Sequence, residues 1–219
     1  MILNNLKQEL EKAKKLHQNG NLNKAIKIYL KLIKAGKSSP EINFYLGTAY
    51  LQSKDYKNSI IYLEKCLKYQ TSNPMVFNNL GIAFKEIGNL EEASIYFNTA
   101  IKLKKNFAQA YNNQGIVLRN LNNYKESLEF LKKAIKLNPK YPEAFNNIGN
   151  TLNDLGDRKR AIDNYKKAIE LNPNYIDAYL NIGTEYLELG YYESAKKSFL
   201  KIREIDNNFN FLDGKLLNL

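Results

Sequence analysis

Histidine, cysteine and tryptophan are almost absent from this sequence: one His, one Cys and no Trp in 219 residues. A single cysteine, Cys66, allows no internal disulfide. The lone His17 leaves a Cys/His zinc site or a Ser/His/Asp triad without its usual partners. The sequence also lacks a glycine-rich phosphate loop, a nucleophile motif and acid/base carboxylates paired at a repeated spacing. No catalytic residue, metal or cofactor is therefore expected, and the composition is that of a binder. The start, Met1-Ile2-Leu3-Asn4-Asn5-Leu6-Lys7, has no basic leader ahead of a long apolar run. Neither a signal peptide nor a membrane span is expected, and the expected compartment is the cytoplasm.

What the chain does have is an ordinary apolar fraction, 44%, which excludes disorder because it can fill a core. The net charge is +11, but asparagine, lysine and isoleucine are all heavily used, a bias that weakens any inference from charge alone.

The organising feature is a period. Gly47, Gly81, Gly115, Gly149 and Gly183 stand at one constant spacing, that of the 34-residue repeat. Placing this glycine eighth gives units 40–73, 74–107, 108–141, 142–175 and 176–209, with a weaker unit 6–39 carrying Ala13 in that column. Within 74–107, Phe77, Leu80, Gly81 and Phe84 form one apolar stripe at helical spacing, and Ala93, Phe97 and Ala100 form a second. Phe145, Ile148, Gly149 and Leu152, then Ala161, Tyr165 and Ala168, repeat the pattern. Turn formers such as Gly88-Asn89 and Gly156-Asp157 separate the stripes, and Asn138-Pro139 and Asn172-Pro173 close the second helix. Each unit reads as an antiparallel helix pair.

In period and in residue type at nearly every signature column, residues 6–209 resemble the tetratricopeptide repeats. The small residues of the glycine column and Ala93, Ala100, Ala134, Ala161, Ala168 and Ala195 fit places where two helices approach closely. The resemblance implies an all-α, right-handed superhelical solenoid over residues 1–209, with a concave face lined by the first helix of each pair. There are departures: the fourth column has no tryptophan, Ser59 and Ser127 replace one alanine, and Cys66 and Ile202 replace another. Cys66 is expected to be a small buried residue, and His17, in the weak unit, to be exposed.

If the first helices line a groove, the sixth column presents Tyr45, Asn79, Asn113, Asn147 and Asn181. A carboxamide donates and accepts at once, which suits it to the backbone of an extended peptide whatever its side chains. Asn150 in the ninth column and Lys85 and Arg119 in the twelfth are further candidates. A second reading stands beside this one: asparagine is abundant and the units share ancestry, so the ladder is also what inherited, solvated asparagines would give. The neighbouring fifth column, Asn78, Asn112 and Asn146, favours that compositional reading. Some family members clamp a terminal carboxylate with Lys and Arg, but here the second column, Glu41, Met75, Gln109, Glu143 and Asp177, is partly acidic and disfavours such a ligand.

Residues 1–39 carry nine Lys and two Glu, so most of the positive excess is N-terminal. Lys7, Lys12, Lys14 and Lys15 offer a patch for acidic protein, nucleic acid or lipid headgroups, but without interleaved aromatics nucleic acid is disfavoured. Lys132, Lys133 and Lys136 and their counterparts belong to second helices, where lysine serves solubility.

Residues 210–219 read as an apolar tail, a capping or truncated element that also offers a surface for self-association. Phe211, Leu212, Gly214, Leu216 and Leu217 resemble the join between repeats and catalytic region in bacterial proteins similar to O-linked N-acetylglucosamine transferases. Two functions follow. One is a scaffold binding a protein or an extended peptide in its groove. The other is the substrate-selecting arm of a glycosyltransferase whose catalytic domain lies beyond Leu219. In neither does this chain itself hold the catalyst.

Overall fold

The computed structural model describes residues 2–69 and 72–206, and the chain divides into two compact units, Met1–Asn106 and Phe107–Leu219. Among the described residues every element is an α-helix. The first unit holds α1 (Ile2–Gln18), α2 (Leu22–Lys34), α3 (Pro40–Gln52), α4 (Tyr56–Leu67), α5 (Pro74–Glu86) and α6 (Leu90–Leu103). The second holds α7 (Ala108–Asn120), α8 (Tyr124–Leu137), α9 (Pro142–Asp154), α10 (Arg158–Leu171), α11 (Ile176–Glu188) and α12 (Tyr192–Ile205). In each unit consecutive helices pack in pairs, and the odd-numbered helices also touch one another: α1, α3 and α5 in the first, α7, α9 and α11 in the second. The first helices of the pairs thus form one layer and the second helices another.

Local chemistry sets the helix limits. Pro40, Pro74 and Pro142 open α3, α5 and α9, where a missing N–H costs nothing. Ser39 Oγ accepts from Ile42 N at 3.2 Å and Asn73 Oδ1 from Met75 N at 3.0 Å. The exit of the first helix needs a left-handed residue in the fifteenth column. Gly88 supplies it at φ +84°, and Asn89 N then donates back to Phe84 O at 2.9 Å. Lys54 and Asn122 hold the same geometry, at φ 63° and 61°, without being glycine. Asn138 and Asn172 end their helices in extended geometry ahead of proline, as the sequence suggests. Lys104 does so at φ −135° with no proline after it, so the ring is not the sole cause.

The glycine column sits where the two helices of a pair approach closely, as the sequence suggests. A Cβ on Gly81 would lie 2.7 Å from the Phe97 ring, and one on Gly115 2.6 Å from Leu131. Gly47, Gly149 and Gly183 face Leu63, Tyr165 and Phe199 in the same way. Each glycine is a seat for the large side chain of its own partner helix. Around these seats the cores form. Ala13, Ala25, Tyr29 and Leu46 are wholly buried in the first unit, and Leu131, Ile148, Leu152, Tyr165 and Ile182 pack together in the second.

His17 departs from expectation: it is 8% exposed, not solvated. Helix α1 pairs with α2 and touches α3, so the weak first unit packs like its successors. The ring meets Gln52 Oε1 at 3.1 Å and stands edge-on to Tyr29 and Tyr45. Burial lowers its pKa, opposed by the Gln52 hydrogen bond. Cys66 is buried as expected, and burial pushes its thiol up to about 11, which makes it a poor nucleophile.

Candidate functional site

The first helices of the second unit carry two hydrogen-bonded groups of carboxamides. Asn147 Nδ2 on α9 donates to Asn112 Oδ1 on α7 at 2.9 Å, and Asn181 Nδ2 on α11 donates to Asn146 Oδ1 on α9 at 3.0 Å. Each of these two sixth-column asparagines therefore binds the fifth-column asparagine of the preceding repeat. The fifth column, which the sequence alone presents as compositional bias, supplies the buried acceptors: Asn112 and Asn146 are both 4% exposed. Asn181 also donates to Asn150 Oδ1 at 2.9 Å, an oxygen that accepts from the Tyr165 hydroxyl as well, again at 2.9 Å. Both Asn181 protons are then used, and its own Oδ1 is left as an acceptor. Asn147 keeps an N–H and its carbonyl.

A cavity of about 390 Å³ opens on this network, walled by Arg119, Asn150, Asn153, Asn181 and Glu185 among others. Arg119 is chelated by Asp154 of the following repeat, Nε to Oδ2 at 2.5 Å and the second contact at 3.3 Å, so its charge is compensated inside the protein. Glu185 is 2% exposed, and its Oε2 has no hydrogen-bond partner. Arg158 Nε stands 4.0 Å from that oxygen, while the same guanidinium holds Glu188 at 2.6 Å. Burial raises the Glu185 pKa; Arg158 opposes this, Glu188 adds to it and the Asn153 side chain opposes it. Sequence reasoning overlooked Glu185, although a signal exists: in the other regular units, 40–73 to 142–175, its tenth column reads Ala49, Ala83, Val117 and Thr151, all small or apolar, and among the six units the column is charged elsewhere in the weak unit alone, at Lys15.

The remaining candidates are placed as follows. Asn113 is half-buried on α7. Asn79, in the first unit, is 5% exposed and is engaged on both sides, donating to Thr48 Oγ1 at 3.1 Å and accepting from Asn78 at 3.5 Å. Tyr45 stacks on Tyr29. Lys85 is ion-paired with its neighbour Glu86. In the N-terminal patch Lys14 is bound by Glu11 at 2.9 Å and Glu41 at 2.6 Å, while Lys7, Lys12 and Lys15 are exposed. Phe211, Leu212, Gly214, Leu216 and Leu217 lie outside the described residues. Among those described, no helix is long and apolar enough to cross a membrane, and no cluster of His, Cys, Asp and Glu is fit to hold a metal ion.

Tetratricopeptide repeat profiles match residues 40–73, 76–107 and 176–209, and others match 108–141 and 130–163; a TPR repeat profile matches 149–190. No curated protein matches the chain. Among solved structures, MamA is 27% identical at a TM-score of 0.63, covering 74% of this chain and 95% of that one. A chain of the APC/C hetero-tetramer Cut9–Hcn1 is 16% identical at a TM-score of 0.84, covering 97% of this chain and 42% of that one. A thermophilic TPR protein from Thermus thermophilus is 18% identical at a TM-score of 0.69, covering 83% of this chain and 99% of that one. At such low identity the last two bear on the fold alone.

Proposed function

Since the chain belongs to the tetratricopeptide repeat family, we propose that it is a protein-interaction scaffold whose first-helix face in the second unit takes the backbone of an extended peptide. The observation that carries this reading is the carboxamide network, because the bonds already made define the ones left to offer. Asn181 has spent both protons, so it accepts from a peptide N–H; Asn147 retains a donor and an acceptor and meets a peptide group in either sense. The amides are held by one another before a ligand arrives, which lowers the ordering cost of binding. Contacts to main-chain groups give affinity without demanding a side-chain sequence.

The test is a titration of ¹⁵N-labelled protein with an acetylated, amidated Gly-Ser repeat peptide. The side-chain amide resonances of Asn113, Asn147 and Asn181 should shift. The double variant Asn113→Ala/Asn147→Ala should bind about tenfold more weakly with unchanged helicity. Equal binding by that variant would remove the groove assignment.

A further inference from the structure

From its geometry we infer that the cavity bounded by Asn150, Asn181 and Glu185 is a subsite for a lysine side chain of the bound peptide, the ammonium group seated against the Glu185 carboxylate. This rests on the peptide-groove reading and adds a side-chain preference that the amide network does not itself have.

Three observations lead there. The first is a buried acidic oxygen with no hydrogen-bond donor: Oε2 of Glu185, on a residue that is 2% exposed and forms part of the cavity wall. A buried carboxylate oxygen left unpaired is costly, so a donor arriving from a ligand gains more here than at the surface. The second is the local charge balance. Of the charged groups around the cavity, Arg119 is matched by Asp154 and Arg158 by Glu188 at 2.6 Å. Glu185 is the carboxylate left over, with its nearest guanidinium nitrogen at the outer limit of an ion pair, 4.0 Å. A chain of net charge +11 thus holds a locally acidic hollow on its amide-lined face. The third is the arrangement of acceptors. Asn181 Oδ1 and Glu185 lie four residues apart on α11, hence on one face of the helix, and both line the same cavity. Acceptors supplied singly by separate residues suit an ammonium, a compact charge with three rotatable donors, better than the rigid fork of a guanidinium.

Column comparison agrees with a local function. The four regular repeats before it place Ala49, Ala83, Val117 and Thr151 where Glu185 stands, so a small or apolar residue satisfies the packing there and an acid answers no need of the repeat itself.

The probe is an acetylated, amidated Gly-Ser peptide with one central lysine, compared with the same peptide carrying norleucine, which keeps the length and removes the charge. Binding to the full chain is followed by the amide resonances of Asn150, Asn153 and Asn181. The lysine peptide should bind about tenfold more tightly than the norleucine peptide, and Glu185→Gln should abolish that difference. Equal binding of both peptides to the wild type, or a lysine preference that survives in Glu185→Gln, overturns the subsite and leaves the groove standing. Binding of neither peptide overturns the groove reading and the subsite with it. Because the first comparison uses wild-type protein, the outcome does not depend on how the variant folds.

Discussion

Asn146→Ala separates an inherited asparagine from a structural one. Asn146 is 4% exposed, and its Oδ1 accepts from Asn181 Nδ2 at 3.0 Å. Truncation removes that hydrogen bond and leaves a small void between α9 and α11. A donor stranded by loss of its partner costs about 1–3 kcal/mol. Asn181 is half-buried, so water reaches it in part, and it keeps Asn150 as a second acceptor; the lower half of that range, about 1–2 kcal/mol, is therefore expected. Unfolding in urea followed by circular dichroism reads the loss directly, and thermal melting should show a fall of about 2–4 °C for each kcal/mol at this chain length. A double-mutant cycle with Asn181→Ala should give a coupling of about 1 kcal/mol. Asn106→Ala, at an exposed position outside any helix, serves as the control and should stay within about 0.5 kcal/mol of wild type. If Asn146→Ala behaves like Asn106→Ala, or if the cycle shows no coupling, the fifth column is composition after all.

Further substitutions have expected signs. Ser59 and Ser127 occupy the same alanine column, but Ser127 Oγ donates to Gly115 O at 2.7 Å whereas Ser59 Oγ is buried without a partner; Ser59→Ala should stabilise by about 1 kcal/mol and Ser127→Ala should destabilise by a similar amount in chemical unfolding. Lys54→Gly should raise the melting temperature, since a left-handed lysine costs about 1–2 kcal/mol and the added freedom of the unfolded chain returns only part of it. Gly149→Ala should destabilise by about 1–3 kcal/mol in the same assay, because the new methyl meets the Tyr165 ring, which is buried and tied through its hydroxyl to Asn150. Glu185→Gln should stabilise the chain at pH 7. The folded pKa of Glu185 is raised, so the unfolded state sheds this proton first and stability falls as pH rises from the ordinary value of 4.5 through the folded pKa. Arg158 is not orphaned by the change because Glu188 holds it, and the gain over wild type should vanish well below pH 4.5; a gain that persists there would exclude titration as its source.

The parts of this molecule legible in its sequence are those that each repeat states for itself. The glycine column, the alanines and the Asn-Pro stops are read within one unit, and the glycines are fixed by contacts inside one helix pair, so spacing alone finds them. The columns misread are those whose partner sits in the next repeat. Asn112 and Asn146 look redundant beside Asn113 and Asn147 because their hydrogen bonds run to a residue 35 positions on, and no pattern confined to one unit shows that pairing. Arg119 looks available to a ligand for the same reason: Asp154, which chelates it, belongs to the following unit. Lys85 is a different case, since its partner is the adjacent residue and only side-chain direction tells that the two meet. Glu185 is the informative exception. Its column is small or apolar in every other well-formed unit, so the acid was visible by comparison down the column, but its meaning required knowing that the carboxylate is buried and that the nearby guanidinium holds a second acid. In a repeat chain, then, conformity down a column reports packing, and the single residue that breaks it marks where the chain has a need its neighbours lack.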